Sequence, residues 1–241
     1  MTKLNLYFFN TTDVHSLDDY INHLSQGELL FYTSIKSKKR KKEFILSRYL
    51  LRSLLKLSPK TEFNKNRNGK PFTEGGAEFS VSHSQGYIAV AFSETTSVGV
   101  DIEANDKQNS YLEISKKYYH QIENGYIQSH SNSTDQRQAF LKLWTLKESM
   151  FKLFGCGFSK ESSKLFFDFA KAKIIYYPTI NEPKAVSSIF LEYRNTYISA
   201  SFESKVENKD IKFFELTLDG TEIKQKSIDS SNYKLLRLNR S

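Results

Sequence analysis

The spacing of apolar residues predicts two long helices among many short strands. Leucines recur at helical spacing within residues 43–57, and residues 140–152 form a second amphipathic helix that carries charge on a face also holding bulky apolar residues. A short helix capped by Ser16 and a broken helix between residues 111 and 127 are also predicted. Runs with strand character are residues 1–9, 78–92 (two strands joined near 84–86), 98–103, 165–169, 174–177, 187–193, 197–202 and 211–216.

This pattern predicts an α+β protein with mostly antiparallel sheets, each packed with a long helix. Residues 87–92 resemble residues 197–202, and each run follows one of the long helices, as expected of two similar halves. We therefore expect an N-terminal half over residues 1–100, a C-terminal half over residues 101–220 and a polar tail over residues 221–241. The seam between two such halves is a usual place for a ligand site.

Two carboxylates stand side by side on the predicted strand 98–103. Alternation places its aliphatic residues on one face and Asp101 and Glu103 on the other, where like charges repel unless a cation lies between them. On the second long helix, Trp144, Glu148 and Lys152 follow one another at a spacing of four. Glu148 and Lys152 alone also fit an ordinary surface ion pair, worth a few tenths of a kcal/mol.

A set of oxygen donors without histidine or cysteine suits a hard cation such as Mg²⁺. Three such side chains are available in Asp101, Glu103 and Glu148. Because Mg²⁺ takes only one or two protein carboxylates and fills its shell with water and phosphate oxygens, a phosphate-bearing substrate is implied.

The overall charge narrows the class of partner. The chain has 241 residues, a formal net charge of +8 and a pI near 9.3, which favours nucleic acid, an acidic protein or a multiply phosphorylated small molecule. Cys156 is the only cysteine, so no internal disulfide is possible. With no apolar run of about 20 residues and no signal-peptide pattern, we expect a cytoplasmic protein without a membrane partner.

Several basic residues are candidates for phosphate binding. The run 36–42 reads as a lysine-rich turn before the first long helix, where cations oppose the helix dipole unless an anion is bound. Lys70 follows an Asn-Gly turn and is held extended by Pro71, which fits either a plain loop or a phosphate donor. His83 lies among hydroxyl groups, with no carboxylate nearby in the sequence to orient it as the base of a nucleophilic serine.

Four motifs occur in an order and spacing that resemble those of the 4′-phosphopantetheinyl transferases: 69–71 (Gly-Lys-Pro), 80–84 (Ser-Val-Ser-His-Ser), 99–103 (Gly-Val-Asp-Ile-Glu) and 144–152 (Trp-Thr-Leu-Lys-Glu-Ser-Met-Phe-Lys). The resemblance extends from about residue 39 to about residue 157 and is to the larger, surfactin-synthetase-activating type, whose two halves form a pseudodimer on one chain. It implies transfer of phosphopantetheine from coenzyme A to a serine of an apo acyl or peptidyl carrier protein, with release of adenosine 3′,5′-bisphosphate.

The resemblance also implies roles for individual residues. Asp101, Glu103 and Glu148 would hold Mg²⁺ on the pyrophosphate of coenzyme A, and Lys152 would neutralise charge as the bond to the leaving group breaks. Glu148, directly or through a metal-bound water, is the candidate base for the serine proton. The expected contacts to the coenzyme come from Lys39, Arg40, Arg48, Lys70, Ser82 and His83.

Two other functions are compatible with parts of the sequence. A basic nucleic-acid-binding module would use the lysine run, although it lacks interleaved aromatic residues. A non-catalytic binder of coenzyme A or of a carrier protein would have no need for three clustered carboxylates. We expect a monomeric enzyme without a nucleic-acid partner, acting in fatty-acid, polyketide or nonribosomal peptide synthesis.

Overall fold

The fold is given by a computed structural model that describes residues 3–59, 61–66, 69–74, 76–105, 111–176, 185–203, 210–229, 231 and 233–238. Its helices are α1 Asp18–Ile21, α2 Gln26–Ser34, α3 Lys38–Leu55, α4 Tyr111–Tyr118, α5 Gln121–Gln128 and α6 Ser133–Phe154. Its strands are β1 Leu4–Asn10, β2 Asn64–Lys65, β3 Pro71–Phe72, β4 Glu78–Ser84, β5 Tyr87–Ser93, β6 Val98–Ala104, β7 Leu165–Asp168, β8 Lys173–Tyr176, β9 Ser187–Tyr193, β10 Thr196–Phe202, β11 Ile211–Asp219, β12 Glu222–Ile228 and β13 Tyr233–Leu238.

Two sheets carry most of these strands. The first has the order β12-β11-β1-β5-β4, the second has the order β6-β10-β9-β13-β8-β7, and β2 and β3 form a small hairpin. The pairings are antiparallel except for β1 with β11 and β8 with β13. The predicted α+β class with mostly antiparallel sheets is thus confirmed.

The layers run helix, sheet, sheet, helix. The inner faces of the two sheets share one apolar cluster, which includes Leu6 and Phe8 of β1 and Val100 and Ile102 of β6. Helix α3 packs on the outer face of the first sheet, and α6 packs on the outer face of the second. Each sheet therefore has its own long helix, and the interpretation of the two units as a pseudodimer stays a prediction.

Strands β4 and β6, the facing edges of the two sheets, are joined by serine side chains. Ser80 Oγ accepts a hydrogen bond from the Val100 backbone N–H at 3.0 Å, and Ser84 Oγ accepts one from Ala104 at 3.4 Å. These hydroxyl groups accept hydrogen bonds from edge N–H groups that would otherwise need a neighbouring strand as their partner. The predicted site residues lie along this seam.

Several helix boundaries differ from the predictions. Ser16 is not the N-cap of α1, which has Leu17 in that position and spans only four residues. Helix α2 was not predicted, although Ser25 and Glu28 form the capping box that begins it. The lysine run is not a turn, because Ser37 caps α3 and the lysines from Lys38 onward form its first turns.

The C-terminal segment is polar, as predicted, but the expectation of a tail is wrong for its described residues. Strand β12 pairs with β11, and β13 lies between β9 and β8. Strand β11 itself pairs with β1 of the first sheet, so the chain crosses between the two sheets near its end. Strand β12 was not predicted because its side chains are mostly exposed and polar, and an edge strand needs no apolar alternation.

Among the described residues, no helix combines the length and the apolar character that crossing a membrane requires.

Candidate active site

Gly99 brings β6 and α6 into close contact. A Cβ atom at this position would lie 2.0 Å from the Ser149 carbonyl oxygen and 2.4 Å from the Leu153 nitrogen. Because only glycine leaves this space, the helix backbone lies directly on the strand. The approach places the acidic face of β6 beside the stripe of α6 that carries Glu148 and Lys152, as the alternation and the helical spacing predicted.

Asp101 lies at the centre of a three-way contact between β4, β6 and α6. Its Oδ1 atom accepts hydrogen bonds from Ser82 Oγ and from Lys152 Nζ, each at 2.7 Å. Lys152 Nζ also donates to Ser82 Oγ at 2.8 Å. Asp101 is only 4% exposed, so the half-buried Lys152 supplies the positive charge that an ionised carboxylate in this place requires.

The other two predicted carboxylates lie near Asp101. Glu103 is buried and accepts a hydrogen bond from Ser84 Oγ at 2.6 Å. Glu148 is half-buried and lines a cavity of about 300 Å³. Burial raises the pKa of Tyr119 well above 10.0, and the negative charges of Glu123, Glu148, Glu103 and Asp101 raise it further.

The described residues contain no group of three or more His, Cys, Asp or Glu side chains that converges to hold a metal ion. The donor set nevertheless fits Mg²⁺ in part, because Asp101 Oδ2 is a buried carboxylate oxygen without a hydrogen-bond partner. A hard cation with an incomplete protein shell, completed by phosphate oxygens, matches such a donor. The predicted residues therefore fit a metal shared with a substrate better than a preformed protein cage.

A cleft runs along the seam between the two sheets. One end is the cavity lined by Glu148, Lys70 and Cys156. The other is a neighbouring cavity of about 360 Å³ lined by Arg48, His83 and Lys65, among others. The two share Gly69, Pro71, Val81 and Lys152, so the cavities adjoin and cations from both halves line them.

Lys70 is held at the edge of this cleft. Its Nζ atom donates to the Val98 carbonyl oxygen at 2.9 Å and lies 3.8 Å from Glu78 Oε2. Burial lowers the pKa of Lys70, while the charge of Glu78 opposes this shift. The tight turn before it is confirmed at Gly69, which has a φ of +85°, while Asn68 lies outside the described residues.

His83 has a carboxylate partner, which the sequence did not reveal. Its Nδ1 atom lies 3.3 Å from Glu43 Oε2 on α3, and Glu43 Oε1 accepts the Gly86 backbone N–H at 3.3 Å. The sequence shows no carboxylate beside His83, because Glu43 is distant in the chain and reaches the histidine only through the packing of α3.

The sequence of this chain is similar to those of known proteins. The family model described as "4'-phosphopantetheinyl transferase superfamily" matches residues 97–220, which include β6 and α6. The chain belongs to this superfamily. Over 173 residues it is 28% identical to the 4'-phosphopantetheinyl transferase gsp of Aneurinibacillus migulanus, covering 70% of this chain and 71% of the relative. Over 154 residues it is 28% identical to the 4'-phosphopantetheinyl transferase HetI of Nostoc sp., covering 60% of this chain and 65% of the relative.

The superfamily match confirms the predicted resemblance, and it includes Asp101, Glu103, Glu148 and Lys152. The predicted residues of the N-terminal half lie outside the matched range and have separate positions in the fold. Arg48 forms an ion pair with Glu28 at 2.8 Å and also lines the cleft. Lys39 contacts Gln85 beside His83.

Arg40 lies in the first turn of α3, where its backbone N–H donates to Ser37 Oγ and its side chain is exposed. It is not one of the residues that line the cleft.

Sequence reasoning also missed a buried ion pair behind the site of this superfamily member. Lys147 Nζ lies 2.9 Å from Glu123 Oε2, and both side chains are fully buried. Burial raises the pKa of Glu123 and lowers that of Lys147, and their contact opposes both shifts. Backbone groups satisfy the remaining bonds, since Glu123 accepts N–H groups of His120 and Phe167. The pair fixes α5 against α6.

Cys156 lines the cavity with Glu148. Burial raises the pKa of its thiol, and the charge of Glu148 adds to this effect. A thiol shifted in this direction is a poor nucleophile at neutral pH.

Proposed function

We propose that this protein transfers the 4′-phosphopantetheine group of coenzyme A to a serine hydroxyl of an apo carrier protein. The observation that carries the proposal is the Ser82–Asp101–Lys152 contact, which lies in the cleft of a chain from this superfamily. There Ser82 and Lys152 line a cavity that also receives His83 and Arg48, and Asp101 of β6 contacts both of them.

The cleft has the charge that a pyrophosphate needs. Lys70, Lys152, His83 and Arg48 come from both halves of the chain and line its walls. Arginine and lysine bind phosphate oxygens through charge-assisted hydrogen bonds, which are stronger than bonds between neutral groups. In this proposal Lys70 and His83 contact phosphates of the coenzyme, and Lys39 lies near the 3′-phosphate.

Asp101, Glu103 and Glu148 would hold Mg²⁺. A bound Mg²⁺ would neutralise developing negative charge on the pyrophosphate. Support comes from the unpartnered, buried Asp101 Oδ2 atom and from the all-oxygen donor set.

The chain's own residues would supply the remaining chemistry. The serine Oγ forms a bond to the phosphorus of the phosphopantetheine phosphate, and the bond from that phosphorus to the adenosine 3′,5′-bisphosphate oxygen breaks. Lys152 would stabilise the negative charge that develops on the leaving group. Glu148, half-buried in the cavity wall, would take the serine proton.

The partner would be the acidic surface of a carrier domain from fatty-acid, polyketide or nonribosomal peptide synthesis. The net charge of +8 supports this choice, because opposite charges speed the encounter of two proteins. A cytoplasmic location fits the single cysteine.

The test is to incubate the protein with coenzyme A, Mg²⁺ and an apo carrier domain and to measure adenosine 3′,5′-bisphosphate by chromatography. We expect release that requires the carrier serine and stops with a chelator. Binding of coenzyme A without release, across carriers of all three classes, would instead indicate a non-catalytic binder. Salt-sensitive binding of duplex DNA without binding of coenzyme A would indicate a nucleic-acid module.

A further inference from the structure

Glu43 is a buried carboxylate that links α3 to the turn between β4 and β5. Its side chain is 8% exposed and contacts His83 Nδ1 and the Gly86 backbone N–H. One helical turn earlier, Lys39 contacts Gln85 in the same turn of the hairpin. The helix and the hairpin therefore meet through these three polar contacts, and the contact of Lys39 with Gln85 involves neither Glu43 nor His83.

The surroundings of Glu43 favour its ionised form. Burial by itself raises the pKa of a carboxyl group, but the hydrogen bond and the charge of His83 outweigh it, helped by the Gly86 N–H and by Lys39. The net result is a pKa below the ordinary 4.5. At neutral pH, Glu43 is thus a negative charge set against the imidazole ring.

This contact decides which nitrogen of His83 serves a ligand. With Nδ1 directed at Glu43, Nε2 is the ring nitrogen left for the cleft, whose wall includes the 45% exposed His83 side chain. In an imidazole that carries a proton on each nitrogen, Nδ1–H donates to Glu43 and Nε2–H can donate to a ligand. An Nε2–H donor is what a phosphate oxygen requires.

We propose that Glu43 is a positioning residue that holds His83 as an Nε2–H donor to a phosphate oxygen of coenzyme A in the cleft. The proposal rests on the proposed function, since it takes coenzyme A as the ligand. Glu43 does not touch the substrate and acts only through the imidazole.

A purely structural role, in which Glu43 only fastens the hairpin to α3, makes different predictions. Glu43→Gln keeps the size of the side chain and an oxygen that can accept the Gly86 N–H, but it removes the charge. Gln85→Ala removes the contact of Lys39 with Gln85 between the same two elements and leaves Glu43 and His83 in place. It is therefore the matched control for loosening of the hairpin.

The experiment is calorimetric titration of coenzyme A into the full-length wild type, Glu43→Gln, His83→Ala, the double variant and Gln85→Ala. We expect Glu43→Gln and His83→Ala each to bind about tenfold more weakly, as for the loss of one charge-assisted hydrogen bond. The double variant should bind no worse than His83→Ala, because Glu43 acts through His83. Nitrogen-15 spectra of the imidazole should show Nε2 protonated in the wild type and a changed proton distribution in Glu43→Gln.

Three results would overturn the proposal: unchanged binding by Glu43→Gln, additive losses in the double variant, or an equal loss in Gln85→Ala. If the wild type itself does not bind coenzyme A, the proposed function fails first. The experiment thereby distinguishes failure of the proposed function from failure of the proposed role of Glu43.

Discussion

Lys152 connects the two halves of the candidate site at the scale of a single residue. It projects from α6, forms an ion pair with Asp101 of β6 and donates to Ser82 of β4. Its side chain is 28% exposed, so water reaches it and its charge remains available to a ligand in the cleft. The same ammonium group can therefore balance Asp101 and stabilise a phosphate.

Replacing Lys152 by glutamine should lower kcat by about 10²–10³-fold, the usual effect of removing one group that stabilises transition-state charge. Lys142→Gln is a matched control, because Lys142 lies on the same helix, is 27% exposed and forms an ion pair with Glu192. Steady-state kinetics of both variants measure the two kcat values. Near-normal kcat in Lys152→Gln, or an equal loss in Lys142→Gln, would contradict the assigned role.

Glu43 also makes stability depend on pH. Because its pKa is lower in the folded protein than the ordinary 4.5, the ionised carboxylate stabilises the fold above pH 4.5, and this contribution is lost as the pH falls through the folded pKa. We expect Glu43→Gln to be less stable than the wild type near neutral pH, with a difference that shrinks below pH 4.5. Urea unfolding at several pH values measures the difference in stability between the two proteins. A difference that does not change with pH would contradict the lowered pKa of Glu43.

Individual site residues were predictable where a local pattern determines direction. Alternation placed Asp101 and Glu103 on one face of β6, and helical spacing placed Glu148 and Lys152 on one stripe of α6. The partnership of His83 with Glu43 was not predictable, because 40 residues separate them and only tertiary packing brings α3 to the hairpin. The contacts of the β4 serines with β6 were not predictable for the same reason.

At the scale of elements, the contact between β6 and α6 depends on Gly99. A methyl group there would lie within 3 Å of backbone atoms of Ser149 and Leu153, which cannot move aside as a flexible side chain can. The sequence contained a signal, since an isolated glycine within a strand indicates close approach of another backbone. It did not say which element approaches.

Gly99→Ala should lower the free energy of unfolding by about 1–3 kcal/mol, as overpacking in a core does, and should reduce transfer by displacing Glu148 and Lys152. Gly125→Ala is the matched control, because no atom lies within 4 Å of a Cβ in that position on α5. It should be neutral or stabilising by about 0.5–1 kcal/mol, as expected for glycine in a helix. Denaturant unfolding of both variants tests this, and equal stability would contradict the packing.

At the scale of the whole molecule, the two sheets depend on the C-terminal residues. The α+β class followed from the alternation of apolar residues, but the return of β11 to the first sheet did not, because topology is not encoded in local pattern. Strand β13 fills a central position in the second sheet, with β9 on one side and β8 on the other. The polar composition of this segment concealed its structural role.

Truncation after residue 220 should therefore yield an insoluble or unfolded protein, because it removes β12 and opens the second sheet at β13. The control is Gln225→Ala in the full chain, an exposed position on β12 whose replacement should change stability by no more than about 0.5 kcal/mol. Circular dichroism and gel filtration compare the two proteins. A folded, soluble truncated chain would show that the segment is dispensable.

The intact mass of a carrier protein reports directly whether the proposed transfer takes place. We predict that the wild type, with coenzyme A and Mg²⁺, increases the mass of an apo carrier by one phosphopantetheine and that Asp101→Asn, although folded, does not. An unchanged mass for fatty-acid, polyketide and peptide carriers alike, with a wild-type protein that binds coenzyme A, would contradict the proposed transfer.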